Sequence, residues 1–517
     1  MTDEATNGHD RSYVKRRLIV NTGASIAANL WAIIVSILVV PVLIGGLGLE
    51  AFGIWALLLA FSALTGWFSL ADFGVGVAST RALATADAEG DVHGLERVLS
   101  TTVWYFIVIG LASTAVYAIG GWVVLDITSF EPADARTNLQ LAVLLAAVQV
   151  GIDLASRSFI SILDGLQRVD LARLADGIRR TLVAGFAAVA AATLGTLQAA
   201  VCGALAGSVI GAIVAAAIGL RTAACRIRIP SKPVAVFLIR SGLSIGLLRP
   251  LGVIQRTMDR LIVGAFIGPS AVAGVEIAAS LQGGVDAILS ASSNSVTPSA
   301  AYLQARHDPA GIRRLLTRGT RYSLLSSAPA AVFVILLSAP MIEIWIGDDA
   351  PPESATLASL AGLATLVMAI AAVGSNLLVG IGRASTVLVA AGISILVNLS
   401  LSIWLVQSLG PEGVFIATLI SALVVTPALV VPSLRLTSAT LREFTYSALV
   451  PGLAPSVVLA LVIVGIRLTL VDAADQVLAA IFIGGGAVAA STLWLGLERS
   501  ERTRLEAYTR RSIARRR

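Results

Sequence analysis

The chain has few of the residues that build metal sites and disulfide frameworks. Of its 517 residues, only three are His, two are Cys and 13% are charged. The histidines, at positions 9, 93 and 307, have no partner at metal-ligand spacing. Cys202 falls in an apolar run and Cys225 in a basic loop, too differently placed for a disulfide framework. We therefore expect no metal and no cofactor.

Lysine is also nearly absent, since Lys15 and Lys232 stand against 35 Arg. Almost all positive charge is therefore guanidinium, which stays protonated even in a poor dielectric. Hydrophobic residues make up 56% of the chain and the mean hydropathy is +0.88, which excludes an ordinary soluble domain. Residues 1–17 are polar and then basic, and the apolar run after them is too long for a cleavable signal, so it predicts a first transmembrane helix.

Long apolar runs without strand alternation predict an all-α polytopic membrane protein. We predict fourteen transmembrane helices: 18–44, 50–78, 98–125, 137–163, 178–194, 197–219, 241–267, 271–298, 320–346, 354–379, 384–407, 412–434, 446–470 and 476–497. The fifth and sixth are the least distinct, because only Gly195-Thr196 separates them.

An internal repeat divides these helices. Asp91-x-x-Gly94 returns as Asp308-x-x-Gly311, an offset of 217, and Gly165-x-x-Arg168 returns at 380–383, an offset of 215. A period this long in a membrane chain indicates two copies of one bundle, as in many transporters. Because each copy has six helices, the copies share one orientation, and helices thirteen and fourteen lie outside the repeat.

The basic residues indicate the topology. Arg and Lys collect in the loops on one side, which the positive-inside rule makes cytoplasmic, while acids dominate the other side. We expect both termini inside, in a bacterial plasma membrane. The predicted segments are an N-terminal segment (1–17), a first lobe (18–219), a basic linker (220–240), a second lobe (241–434), the additional helices (435–497) and a basic tail (498–517).

Charges inside predicted helices are costly and are candidates for function. The seventh helix carries Arg249, Arg256 and Arg260, whose spacing of seven and then four keeps three guanidinium groups on one face. Asp259 can neutralise one of them, so the face as a whole should attract an anion such as a phosphate or diphosphate. The alternative is that Arg249 extends to the interface and the other three charges form a structural ion network.

Each of the remaining charges inside helices has two interpretations: a role in ion coupling or a structural ion pair. Asp153 and Arg157 are four residues apart, the spacing of a mutually neutralising pair. Asp72 lies near the inner end of the second helix. Glu276 and Asp286, in the eighth helix, are candidates either to compensate the arginines or to carry a proton.

The chain resembles the polysaccharide or O-antigen flippases of the MOP exporter superfamily, relatives of MATE drug exporters and lipid II flippases. The resemblance covers roughly 15–500 and rests on PVLIGGLGLEAFGIW at 41–55, DFG at 72–74, DRLIVGAFIG at 259–268 and the number of predicted helices. One departure is Glu276, since the family often has Tyr at that place.

The resemblance implies alternating access between the two lobes and an isoprenoid-diphosphate-linked oligosaccharide as cargo, moved from the inner to the outer leaflet. Its implied partners are that lipid-linked glycan, membrane lipids and polysaccharide polymerase or assembly proteins; no nucleic acid is expected. Helices thirteen and fourteen are candidates to line a groove for the prenyl tail.

Three other functions stay open. A MATE-like, ion-coupled exporter of small molecules needs an acidic pocket in the first lobe, where only Asp72 and Asp153 offer acids. A membrane enzyme acting on lipid-linked sugars usually needs a sizeable outer loop with catalytic acids or His, and the longest outer loops here are short and lack His. A scaffold without transport activity would tolerate neutralisation of Arg256 or Arg260.

Overall fold

The computed structural model describes residues 3–63, 65–127, 133–245 and 249–496, and within these ranges it contains helices and no strand. The α-helices are, in chain order, α1 (Asp3–Ala60), α2 (Val75–Glu89), α3 (Val92–Ile127), α4 (Ala133–Gly165), α5 (Val169–Leu194), α6 (Leu197–Ala223), α7 (Lys232–Ile245), α8 (Arg249–Phe266), α9 (Pro269–Ser293), α10 (Val296–Ala305), α11 (Pro309–Trp345), α12 (Ser354–Gly380), α13 (Ala384–Leu409), α14 (Pro411–Thr437), α15 (Leu441–Phe444), α16 (Val450–Thr469), α17 (Ala473–Ala479) and α18 (Gly485–Ser491). Short π-helical segments follow α15, α17 and α18.

The repeated Asp-x-x-Gly motif marks the start of a helix in each copy. Asp91 accepts a hydrogen bond from the Gly94 amide at 2.8 Å, and Asp308 accepts one from the Gly311 amide at 2.7 Å. Each carboxylate thereby caps free amides at a helix N-terminus. The glycine leaves the Asp91 carboxylate room to reach that amide, since a Cβ on Gly94 would lie 2.2 Å from its Oδ2 and the carboxylate would have to shift.

The second repeated motif is equally well explained. Helix α5 begins after Arg168 and ends before Gly195, and α13 begins after Arg383 and ends before Gly410, so both ends show the offset of 215. Gly195 and Gly410 both have positive φ, at 63° and 64°, which glycine adopts without the strain of a Cβ. The predicted internal repeat is confirmed.

The predicted second span, 50–78, is not one helix. Helix α1 bends at Gly48, which has a φ of 78°, and ends at Ala60. A 3-10 helix follows at Trp67–Asp72, and α2 begins at Val75 after Phe73 and Gly74, both with positive φ. Hydropathy alone missed this break because the interrupted segment remains apolar.

Twelve helices in the described part of the chain are long and apolar enough to cross a membrane. They correspond to twelve of the fourteen predicted spans. The second is broken as described, and the seventh is divided between α7, which ends at Ile245, and α8, which begins at Arg249. The boundary predicted between the fifth and sixth holds, because Thr196 caps α6 by accepting from the Ala199 amide.

By internal contacts the chain divides into Met1–Gly264 and Ala265–Arg517. In the first unit, α6 approaches α5 through glycines: a Cβ on Gly207 would lie 2.5 Å from the Leu182 carbonyl carbon, and one on Gly211 would lie 2.4 Å from Cγ of Arg179. Small residues of this kind allow close backbone contact between membrane helices. Gly211 also leaves the space in which Arg179 is buried.

The first unit also includes α7, whose Leu238 packs with Val75 and Ala78 of α2. In the second unit, residues of α10, α11, α12 and α14 share one apolar cluster that includes Leu316, Leu377 and Leu429. The last helices pack on α11 through a smaller cluster that contains Leu337, Leu459 and Ile463. The additional helices thirteen and fourteen are therefore part of the second unit.

Candidate functional site

The predicted cationic face lies on α8. Arg260 and Asp259 are half-buried and each takes part in an electrostatic interaction. The side chains of Arg249 and Arg256 lie outside the described residues, although both positions belong to the helix. On an α-helix, positions 249, 256 and 260 share a face with Val253 and Val263, which are 8% and 0% exposed. The arginine positions therefore lie on a buried face of α8.

A second group of charges forms a buried network in the first unit. The Arg179 guanidinium is 2% exposed and donates to Asp153 Oδ1 at 2.7 Å and to Asp176 Oδ1 at 2.9 Å. Arg180 Nε donates to Asp176 Oδ2 at 2.8 Å, and the Ser208 hydroxyl donates to Asp153 Oδ1 at 3.0 Å. These contacts join α4, α5 and α6 through charge-assisted hydrogen bonds.

The predicted pair of Asp153 and Arg157 is wrong. Asp153 pairs with Arg179, 26 residues away, and Arg157 lies 3.7 Å from Asp72. Spacing of four residues allows contact along a helix, but each side chain here forms its ion pair with a residue of a neighbouring element. Asp72 and Arg157, predicted separately, are thus brought together, while Asp153 belongs to the Arg179 network.

Arg157 also stabilises the break after α1. Its guanidinium donates to the Ala63 carbonyl at 3.1 Å, a group that leaves the helical hydrogen-bond pattern at the break. Asp72, 2% exposed, accepts from the Gly76 amide at 2.7 Å and so caps α2. Tyr117 donates to the Leu58 carbonyl at 3.2 Å. Irregular backbone at membrane depth requires such partners, because lipid offers none.

A cavity of about 30 Å³ lies beside this network. Its polar lining consists of Ser62, Tyr117, Gln149 and Asp153, and the rest is apolar. The volume is enough for one water molecule with several hydrogen-bonding partners. Within the residues that the structure describes, no three acids, histidines or cysteines form a group that could hold a metal ion.

The two predicted acids of α9 differ in environment. Glu276 is half-buried, whereas Asp286 is exposed and accepts a hydrogen bond from Thr365 of α12 at 3.3 Å. Thr365 in turn accepts from Gln282 at 3.1 Å. Both acids take part in further interactions, and they lie in the second unit.

Two buried arginines were missed as candidates. They are Arg179 and Arg321, each at the N-terminal end of a predicted span (178–194 and 320–346). Arg179 of α5 is 2% exposed, and Arg321 of α11 is 3% exposed with its guanidinium 5.2 Å from the centre of the Tyr322 ring. The available signal was the repeat, which predicts that α5 starts at the same place as α13 and so brings Arg179 well inside a helix.

In the loop after α6, burial raises the pKa of the Cys225 thiol, and nearby Glu96 adds to the effect. The thiol is therefore protonated at neutral pH and poorly reactive. The same loop is fastened to α3, since Arg228 pairs with Glu96 at 3.0 Å and the Trp104 indole donates to the Arg228 carbonyl. This basic segment is a connection and not part of the network above.

Twelve candidate spans among the described residues and an internal repeat define a polytopic, all-helical membrane protein. The fold is similar to a lipid II flippase MurJ in an inward closed conformation, with a TM-score of 0.70, 16% identity and coverage of 92% of this chain and 98% of that one. An inward-facing multidrug resistance MATE family transporter gives 0.61, with 16% identity over 81% of this chain and 95% of that one. A MOP superfamily transporter from Pyrococcus furiosus, described as having a binding pocket of reversed polarity, gives 0.51, with 16% identity over 82% of this chain and 95% of that one.

The family model for polysaccharide biosynthesis proteins matches residues 18–301, more than half of the chain. The chain belongs to that family. The MatE family model matches residues 253–404, which is consistent with the superfamily. No individual curated protein matches the sequence. The resemblance stated from sequence is thus confirmed.

Proposed function

We propose that this protein flips an isoprenoid-diphosphate-linked oligosaccharide from the inner to the outer leaflet of a bacterial plasma membrane, by alternating access. The observation that carries the proposal is the set of three arginine positions on a buried face of α8, in a transporter of the polysaccharide biosynthesis family. Guanidinium groups bind phosphate oxygens in a bidentate geometry and remain charged when desolvated. A diphosphate headgroup fits that face.

Each residue has a proposed role. Arg256 and Arg260 grip the diphosphate, Arg249 guides it from the inner leaflet, and Asp259 positions one of the gripping arginines. The oligosaccharide crosses a wet cavity while the prenyl tail stays in an apolar phase, which avoids much of the cost of desolvating sugar hydroxyls. Both termini are cytoplasmic in this arrangement, and polymerase or assembly proteins receive the product outside.

A MATE-like exporter of small cations is less well supported by the first unit. Three of the buried or half-buried acids of that unit, Asp72, Asp153 and Asp176, have partners in Arg157, Arg179 and Arg180. The half-buried Glu96, Asp164 and Asp170 likewise pair with arginines. A cationic drug would therefore meet a neutralised network and not an acidic pocket. The cationic face of α8 would repel it further.

The test is flipping of a fluorescent undecaprenyl-diphosphate oligosaccharide in proteoliposomes. We expect transport by the wild-type protein and a loss of about 100-fold in Arg256→Ala/Arg260→Ala, as expected for removal of two charge-assisted contacts. Gln255→Ala is the matched control, because Gln255 is an exposed residue of the same helix. It should retain near wild-type transport.

Two results would contradict the proposal. Wild-type rates in the double variant, at equal expression, would remove the arginines from the mechanism. A folded wild-type protein that moves no lipid-linked sugar but exports small cations would favour the MATE-like function.

A further inference from the structure

A groove of about 680 Å³ runs between α1 and α5 in the first unit. Its size is that of pockets for drug-sized ligands and cofactors. The lining is mostly apolar and comes from positions 27–31 of α1 and 170–182 of α5, including Trp31, Arg173, Leu174 and Gly177. None of the charges proposed for the diphosphate site belongs to it, so the groove is a separate feature.

The groove exists because α1 and α5 are in contact near Gly46 and Ala191 but lie further apart near Trp31 and Thr181. A Cβ on Gly46 would lie 2.6 Å from the Ala191 carbonyl oxygen, so the helices are in backbone contact there. Towards the N-terminus of each helix, the Trp31 indole donates to the Thr181 hydroxyl at 2.8 Å and spans a wider gap. A Cβ on Gly177 would meet no atom within 4 Å, which leaves the groove open at its middle.

The walls of the groove suit a hydrocarbon chain. Trp31 and Leu174 are 48% and 54% exposed, so the groove is open along one side. Its α5 wall belongs to the candidate membrane span Val169–Leu194, and Trp31 belongs to the span Leu30–Ala60. Lining positions 170–182 of α5 cover about 18 Å of helix, at about 1.5 Å per residue. That is more than half of the roughly 30 Å hydrocarbon core of a bilayer. The described N-terminal segment does not fold back into it, because α1 continues as a helix from Ala27 back to Asp3.

One end of the groove is charged. Arg173 pairs with Asp164 at 2.9 Å, and Arg168 pairs with Asp170 at 3.2 Å. The two arginine side chains remain 33% and 39% exposed, so they can also contact an anionic headgroup. An apolar groove that ends at accessible arginines is complementary to a lipid with a phosphate group at the end of its hydrocarbon.

We infer that this groove holds the polyprenyl tail of the lipid-linked substrate while the headgroup is moved. The inference rests on the proposed function and deepens it by assigning the tail to α1 and α5. The sequence had suggested the last two helices for this role. Tail binding to the first unit keeps the substrate associated while the polar headgroup crosses. Recognition of a long tail also separates this substrate from ordinary phospholipids.

The first experiment fills the groove. Gly177→Trp places an indole in it, and Gly185→Trp is the control, because Gly185 belongs to the same helix, does not line the groove and likewise has no atom within 4 Å of a Cβ. We expect Gly177→Trp to reduce flipping about tenfold or more, as overfilling a binding site does, and Gly185→Trp to leave it unchanged. Equal transport by both variants and the wild type would overturn the inference.

The second experiment labels the groove directly, whether or not transport occurs. An undecaprenyl-diphosphate oligosaccharide with a diazirine in its tail is irradiated with the wild-type protein, and labelled peptides are identified by mass spectrometry. We expect labels on 170–182, displaced by unlabelled undecaprenyl phosphate and reduced in Gly177→Trp. Two outcomes would overturn the inference. One is labelling of α16 in place of 170–182. The other is equal labelling of 170–182 by a phosphatidylglycerol with a diazirine in its acyl chain, if the polyprenyl lipid does not displace it.

The two proposals fail separately. If the wild-type protein flips the substrate but the groove variants have no effect, the headgroup site stands and the tail site is wrong. If the wild-type protein flips no lipid-linked sugar, the proposed function is wrong regardless of the labelling.

Discussion

Helices α5 and α13 occupy the same place in the two copies of the repeat, but they are held by different chemistry. At the offset of 215, Arg179 of α5 corresponds to Ser394 of α13, and the neighbouring charges Arg173, Asp176 and Arg180 correspond to Leu388, Ala391 and Ile395. In the second unit Ser394 and Ser421 are hydrogen-bonded at 2.6 Å, which joins α13 to α14. In the first unit Arg179 joins α5 to α4 through Asp153.

The neutral arrangement in α13 shows that the helix can be packed without buried charge. Burying ions costs desolvation energy that the ion pair only partly recovers. The presence of a buried salt bridge is therefore weak evidence that it stabilises the fold. The network around Arg179 is therefore better explained by specificity or function in the first unit. The same contrast holds for the break after α1, because the corresponding segment of the second copy lies inside the uninterrupted α9.

The largest effect is expected from removal of Arg179. Arg179→Ala leaves the buried Asp153 without its charged partner and the half-buried Asp176 with Arg180 alone, which should lower the free energy of unfolding by about 3–5 kcal/mol. Thermal unfolding of the purified protein in detergent measures it. Arg180→Ala is the control, since that side chain is 41% exposed and its pair should contribute less than about 1 kcal/mol. An equal loss of unfolding free energy in the two variants would show that the buried Arg179 network stabilises the fold no more than the exposed Arg180 pair does.

Arg157 tests the break in the first unit. Arg157→Ala removes the donor to the Ala63 carbonyl and the partner of Asp72, so we expect a loss of about 1–3 kcal/mol. The loss should be local: hydrogen exchange of amides in 61–74 should accelerate while exchange in α9 is unchanged. Uniform acceleration in both units would mean that Arg157 supports the fold in general and not the break.

The repeat explains why much of the fold could be predicted and the pairing of charges could not. Capping motifs such as Asp91-x-x-Gly94 are local, so the sequence shows where helices begin. The partner of Arg157 is the carbonyl of a residue 94 positions away, exposed only because α1 ends early. The burial of Arg179 depends on the missing side chain of Gly211 in α6. Such contacts follow from packing between elements, which spacing along one helix does not reveal.

The smallest effect on stability, and the sharpest test of the comparison, is expected when the first unit is given neutral chemistry. Asp153→Asn/Asp176→Asn/Arg179→Met removes the buried charges together. Arg180 loses Asp176, but its side chain is 41% exposed and remains solvated, so no buried ion is left without a partner and stability should stay within about 1–2 kcal/mol of the wild type. If the network serves transport, the rate of flipping should nevertheless fall, while the expression level and the unfolding temperature stay close to those of the wild type. Full transport in this variant would show that the charges of α5 are replaceable by neutral contacts as in α13, and that the difference between the two copies has no role in function.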